Sequence, residues 1–269
     1  MDLNLIKDIY NLHIKGFEGL DFNVINKSNY EITYSKDIKD SYSNFLSNFD
    51  VTNKEEFNAI INEADEIFSN INRKTTVYLI PYMKNIYQNK EKYFDENKFQ
   101  LISTEVWQTY TNFDKLNELK TNCSFSITLE PTTDMEKYAD FVMQGYQSGD
   151  DEDPYGDLDD GYRQGYINYT EIHNDIKTEF YLIKADDEIV GTTQSVYNNE
   201  LYGIYSLALK KDYRGKGIGK EVLKQQLEMC KNKNIKVAYL QTEQDFYPAQ
   251  MYRKLGFNDL CEVYYYLKK

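Results

Sequence analysis

The chain has 269 residues, of which 41% are hydrophobic and 28% charged, enough apolar material for one large or two small packed units and too much for wholesale disorder. Its 31 Lys plus Arg stand against 44 Asp plus Glu, a formal net charge of −13 that argues against a nucleic-acid partner, because phosphates demand clustered bases. No apolar run approaches the ~20 residues needed to span a bilayer, and the N-terminus lacks a basic-then-apolar leader pattern. Cys123, Cys230 and Cys261 are odd in number and have no ligand spacing, so they read as free thiols. The expectation is therefore a cytoplasmic chain with no metal and no membrane partner, as a monomer or a homodimer.

In chain order, Thr52-Asn53-Lys54-Glu55 forms a capping-box pattern ahead of Phe57, Ile60, Ile61, Ala64, Ile67, Phe68 and Ile71, an apolar stripe at helical spacing. Thr75–Ile80 is a β-rich run stopped by Pro81, and a second strand covers Phe99 to Tyr110 with the only tryptophan, Trp107. The polar stretch from Thr111 to Asn122 reads as a connector. Ser124–Leu129 alternates like a strand. Thr133-Asp134-Met135-Glu136 then caps a helix with Met135, Tyr138, Ala139, Val142 and Tyr146 on one face. An acidic loop, Asp150 to Asp160, leads into a helix around Tyr162 to His173. Three strands follow at Phe180–Ala185, Glu188–Tyr197 and Leu201–Leu209. A glycine cluster next opens a helix with Ile218, Val222, Leu223, Leu227 and Cys230 on one face. Val237–Gln241 is a strand, Pro248–Leu255 a short helix and Cys261–Leu267 a last strand.

The glycines are the strongest signal. Only Gly16 and Gly19 fall in the first 144 residues, whereas Gly215, Gly217 and Gly219 lie within five. Arg214-Gly215-Lys216-Gly217-Ile218-Gly219 stands between a strand and a helix, where backbone N–H groups at the positive helix end suit a pyrophosphate and glycines admit close approach and φ > 0. A Walker loop fails because Arg214 and Glu221 occupy positions that need Gly and Ser or Thr; a dinucleotide fingerprint fails because position 220 is Lys. Residues 210–224 hold six bases and two acids, a local +4 in an acidic chain.

R-x-x-G-x-G after Leu207-Ala208-Leu209, joined to Met251-Tyr252-Arg253-Lys254-Leu255-Gly256-Phe257 some forty residues on, resembles the GNAT family of N-acetyltransferases over residues 123–269. The resemblance implies an α/β (α+β) fold with a central mixed β-sheet flanked by helices, preceded here by a smaller α/β unit at 1–118. It further implies acetyl-CoA as cosubstrate, held by Leu207, Ala208, Leu209, Arg214, Gly215, Lys216, Gly217, Ile218, Gly219 and Lys220, with transfer of the acetyl group to a primary amine.

An unperturbed lysine-like amine has a pKa near ~10.4, so about one in a thousand is neutral at pH 7, a barrier of roughly 4 kcal/mol that a general base relieves. The family pattern makes Tyr252 the acid for the departing thiolate. Glu243, just past the strand at 237–241, is the candidate base, with Glu200 and Tyr205 as alternatives. Asp245 stands where the family often has a cofactor-contacting Asn, and Pro248 where it usually has Ala. His13 and His173 have no partner at ligand spacing and read as structural or exposed. Cys230 reads as core.

Seven acids, Asp150, Asp151, Glu152, Asp153, Asp157, Asp159 and Asp160, lie in eleven residues without a base. They read either as a solvated loop or as a funnel for a small cationic amine within a Debye length of about 8 Å. Finally, Val77-Tyr78-Leu79-Ile80 and Glu105-Val106-Trp107 echo Ala238-Tyr239-Leu240-Gln241 and Glu262-Val263-Tyr264 at offsets of 161 and 157 residues. The first half is then either a degenerate second copy without the glycine loop, closing the acceptor cleft, or an unrelated extension. Two functions other than small-amine acetylation stay open: a non-catalytic acyl-CoA-binding module, and acetylation of a protein lysine or N-terminus.

Overall fold

The computed structural model describes residues 2–95, 98–146 and 156–269. They form one eleven-stranded sheet. The first half contributes α1 (Leu3–Glu18), β1 (Phe22–Asn26), β2 (Glu31–Ser35), β3 (Phe45–Ser47), α2 (Lys54–Asn70), β4 (Thr76–Leu79), the short helices α3 (Lys84–Gln88) and α4 (Lys90–Tyr93), and β5 (Phe99–Tyr110). The second half contributes β6 (Ile127–Pro131), α5 (Met135–Gly145), α6 (Asp160–Ile167), β7 (Lys177–Ala185), β8 (Glu188–Tyr197), β9 (Leu201–Leu209), α7 (Ile218–Asn232), β10 (Val237–Glu243), α8 (Tyr247–Lys254) and β11 (Asn258–Lys268).

The strand order is β1-β2-β3-β4-β11-β5-β10-β9-β8-β7-β6. Each half's last strand therefore lies between the last two strands of the other half: β11 sits between β4 and β5, and β5 between β11 and β10. The register between them has the form of an approximate twofold. Glu105 faces Val263 and Val106 faces Glu262, so residues related by the 157-residue echo exchange places across the pair. The sheet thus runs unbroken across the boundary expected at 118/123.

Alternation along the central strands feeds two cores. Tyr239 packs into one cluster with Tyr10, Tyr78, Trp107 and Val263, drawn from both halves. Its neighbours Ala238 and Leu240 turn to the other face, where Leu223, Leu227 and Cys230 of α7 and Tyr252 of α8 cover them. The stripe read on α7 is buried as its spacing predicts. Burial also raises the Cys230 thiol pKa, in keeping with a core residue.

Two helix starts differ from the capping-box reading. The cap of α2 is Asn53, which accepts from the Glu56 N–H, and that of α5 is Asp134, which accepts from the Lys137 N–H. In each case the residue after the threonine takes the role, since Asn and Asp reach the N3 amide at least as well as Thr. The helix expected around 162–173 ends at Ile167. It docks on the first half with no side chain intervening: a Cβ on Gly161 would stand 2.6 Å from the Asp37 carbonyl carbon, and one on Gly165 2.8 Å from the Leu20 oxygen.

Candidate active site

Three local features converge at the C-terminal end of β9. The first is a bulge. Gln194 pairs with Tyr205 and Thr192 with Ala208, so Ser206 and Leu207 stand against Thr193 alone, with Ser206 at φ +49°. Thr192 Oγ1 and Thr193 Oγ1 donate to the Ser206 and Tyr205 carbonyls at 3.2 and 3.3 Å, pinning the bulge to β8.

The second is a divergence. Parallel pairing of β10 with β9 covers Leu201, Tyr202 and Gly203 and goes no further. Beyond it, β9 continues through Leu207, Ala208 and Leu209 while β10 runs on beside β5, so the edge of β9 that faced β10 opens onto a cleft.

The third is the glycine loop. Gly215 and Gly217 take φ +71° and +81°, a left-handed region that suits glycine, and Gly217 is the N-cap of α7 without any side-chain cap. The first helical amide to find a carbonyl is that of Glu221, bonded to Gly217 O at 3.1 Å; those of Ile218, Gly219 and Lys220 have no helical carbonyl to bond. Gly219 lies within the helix and would tolerate a Cβ, meeting only the Met251 thioether end at 3.9–4.0 Å. Arg214 braces the loop from behind: its Nε donates to Leu209 O at 3.1 Å and its Nη2 to Gly145 O at 2.9 Å, the latter at the C-terminal end of α5. Thr121 and Asn122, read as mere connector, cross the loop with carbonyls 2.9 and 3.0 Å from where a Gly217 Cβ would be.

These features open into one cavity of about 1050 Å³. Leu207 to Leu209 and Arg214 to Lys220 line it, as do Gln241, Thr242, Met251 and Tyr252. Tyr252 is buried, and its hydroxyl makes no hydrogen bond among the described residues. Burial holds that hydroxyl well above the usual phenol range, so it stays protonated.

The remaining expected site residues are distributed less simply. Glu243 ends β10, half-buried, and accepts from Ser103 Oγ at 2.5 Å; burial raises its carboxyl. It is not part of the cavity wall. Its cross-strand partner Glu105, on β5, is. Asp245 is exposed outside the cavity, and Glu200 is paired with Lys236 at the opposite end of β9. Tyr205 does line the cavity, with its hydroxyl 2.8 Å from Tyr239 Oη and 3.2 Å from His13 Nδ1. His13 of α1 is therefore in the site's wall, and burial lowers its pKa to about 4.

Of the acidic loop, Asp150, Asp151, Glu152 and Asp153 lie outside the described residues. Asp157 and Asp159 line the cavity, and Asp159 also caps α6 by accepting from the Gly161 N–H at 2.8 Å. From the first half come Asp40, Tyr42 and Ser43. Burial, then the charges of Glu243 and Glu105, push the Tyr42 hydroxyl up to about 12, with a smaller push from Asp40. Sequence reasoning did not reach Glu105 or Asp40, because only the strand exchange and the α6 contact bring them to this cleft.

A model of the acetyltransferase (GNAT) family matches residues 137–257, the segment that carries the bulge, the divergence and the glycine loop. This segment is a GNAT domain. The whole chain, first half included, is similar in fold to solved structures: a functionally unknown conserved protein from Staphylococcus epidermidis (16% identical, TM-score 0.69, covering 98% of this chain and 96% of that one) and a GCN5-related N-acetyltransferase from Kribbella flavida (11%, 0.67, 99% and 96%). A tandem GNAT protein from the clavulanic acid biosynthesis pathway also matches (11% identical, TM-score 0.58, 89% and 78%). No curated protein sequence matches the chain significantly. The GNAT domain and the first half are thus joined in one sheet, and the whole chain shares its fold with these structures. Among the described residues, no helix is long and apolar enough to cross a membrane, and no group of three or more potential metal ligands occurs.

Proposed function

We propose that this GNAT protein is a cytoplasmic N-acetyltransferase that moves an acetyl group from acetyl-CoA to a primary amine on a small cationic acceptor. The observation that carries this reading is the common cavity, which joins the uncapped start of α7, the open edge of β9 and the Tyr252 hydroxyl. The amides of Ile218, Gly219 and Lys220 suit a pyrophosphate, and Lys216 and Lys220 in the same wall add positive charge. The open edge of β9 offers Leu207 and Leu209 backbone groups to the amides of a pantetheine arm. Acetyl-CoA, when bound, supplies the activated acetyl thioester.

In this reading Tyr252, protonated and free of other bonds among the described residues, gives its proton to the departing sulfur. In this reading Glu105, which lines the cavity with Glu243 directly across the strand pair, takes the proton that the attacking amine gives up. The C–N bond forms as the C–S bond breaks, and both transferred protons have a named holder. The carboxylates of Asp40, Asp157 and Asp159 favour a cationic acceptor over an anionic one. The test is release of free thiol from acetyl-CoA with a panel of primary amines, peptides and N-terminal amines. Turnover with small cationic amines is expected. Binding of CoA without thiol release above hydrolysis for any amine would replace the enzyme by a binding module, and turnover confined to peptides would move the acceptor to proteins.

A further inference from the structure

The cavity has a far end, built by the first half. Thr33 of β2 and Phe45 of β3 are directly opposed in register and so share a face of the hairpin, and both line the wall. Thr33 is 1% exposed, yet its Oγ1 has no hydrogen-bond partner among the described residues. Asp40, in the loop joining these strands, accepts from the Ser43 N–H at 2.8 Å, and Ser43 Oγ lies 2.6 Å from Tyr162 Oη of α6. Donors thus hold the Asp40 carboxylate, but among the described residues no Lys, Arg or His lies within ion-pair distance of it, although the neighbouring Lys39 also lines the cavity. Burial raises the Asp40 pKa, the sign of a carboxylate that has lost water without gaining a cation.

A buried hydroxyl without a partner costs about 1–3 kcal/mol, and a desolvated carboxylate more. A ligand that relieves both must donate hydrogen bonds and carry positive charge. An ammonium group does so with three N–H donors and no acceptor. A neutral hydroxyl would leave the charge uncompensated, and an anion would meet Asp40, Asp157, Asp159 and Glu105 together.

We propose that Asp40 and Thr33 bind a second ammonium group of the acceptor, which makes the acceptor a diamine or polyamine: one amine at the Tyr252 end of the cavity, the other against the first half. This rests on the acetyl-transfer reading, and the test separates the two.

The kcat/KM for n-butylamine, 1,4-diaminobutane and spermidine is measured by thiol release for the wild type, Asp40→Asn and Thr33→Val, alongside calorimetric binding of 1,4-diaminobutane to the CoA-loaded protein. The wild type should prefer the diamine over n-butylamine by about tenfold or more, the scale of a hydrogen bond to a charged group. Asp40→Asn should collapse that ratio, through KM and most visibly at low salt. Thr33→Val, which keeps volume and branching, should lower it by about tenfold, as for one hydrogen bond to a charged donor, and carries the test if Asp40→Asn melts early. A wild-type ratio near one, or a ratio that neither variant changes, overturns the site and leaves acetyl transfer standing. Diamine binding that depends on Asp40 without thiol release supports the site and overturns the transfer. Absence of both binding and release overturns both.

Discussion

Two glycines of the same loop allow strain and crowding to be separated. Gly215 and Gly217 have nearly the same backbone, φ +71° and +81°, so alanine at either pays the left-handed penalty of about 1–2 kcal/mol. Their surroundings differ. Nothing lies within 4 Å of a Gly215 Cβ, whereas a Gly217 Cβ would stand 2.9 Å from Thr121 O, 3.0 Å from Asn122 O and 3.2 Å from Asn122 C. Those are backbone atoms and cannot rotate away, so the 121–122 segment must shift, at a further cost of about 1–3 kcal/mol typical of overpacking. For a chain of this size each kcal/mol moves Tm by about 2–4 °C. Gly215→Ala should therefore lower Tm by only a few degrees, and Gly217→Ala by clearly more. Because Gly217 also sets the direction of the first α7 amides, Gly217→Ala should weaken acetyl-CoA binding about tenfold, against little change for Gly215→Ala. Differential scanning calorimetry and isothermal titration with acetyl-CoA read the two quantities. Equal losses of stability would show that 121–122 does not press on the loop; normal acetyl-CoA affinity in a destabilised Gly217→Ala would remove the α7 start from the cofactor site.

Tyr252→Phe should lower kcat by about a hundredfold, the low end for general acid catalysis, with acetyl-CoA affinity nearly unchanged; full activity would take Tyr252 out of the mechanism. His13 tests the acid limb of stability. Its pKa is lowered by burial to about 4, below the unfolded value near 6.5, so the folded chain favours the neutral ring. Its contribution is complete above pH 6.5 and is lost as pH falls from there through 4, by at most about 3 kcal/mol. His13→Gln should flatten urea-unfolding stability between pH 7 and 4.5, and an unchanged slope would show that other groups set it.

What could be read from the sequence was what is local. A left-handed turn, an uncapped helix start and a one-sided apolar stripe each leave their mark within a few residues, and so the 214–220 loop and α7 stand where they were expected. The α1 helix also left a signal, Asp2 as a cap and Ile6, Ile9, Tyr10 and Leu12 within two turns, that a helical count would have found. The strands β1 to β3 are five, five and three residues long, with polar positions buried in β2 and β3, so alternation carries little information there. Glu105 and Asp40 are a different matter. Nothing near either residue marks it as part of a site, since Glu105 reaches the cavity only because β5 enters the other half's sheet.

That exchange also bears on whether the first half is dispensable. It holds no glycine loop, yet β5 fills the place between β10 and β11. The second half returns β11 to the place between β4 and β5. Cutting at residue 120 would therefore leave each fragment with a gap between its own last two strands. In the whole chain β11 pairs with β5 over ten registered positions and with β4 over four, and β5 pairs with β10 over six. A gap of that length exposes unpaired backbone and the faces of Trp107, Tyr239 and Val263, which are fully buried in the intact protein. Each fragment expressed alone should be insoluble or molten by amide exchange, while co-expressed fragments should recover a soluble one-to-one complex that binds acetyl-CoA. A stable, CoA-binding 121–269 fragment would mean that β11 can fold back to pair with β10 directly, and that the first half shapes the acceptor end without being needed for the cofactor end.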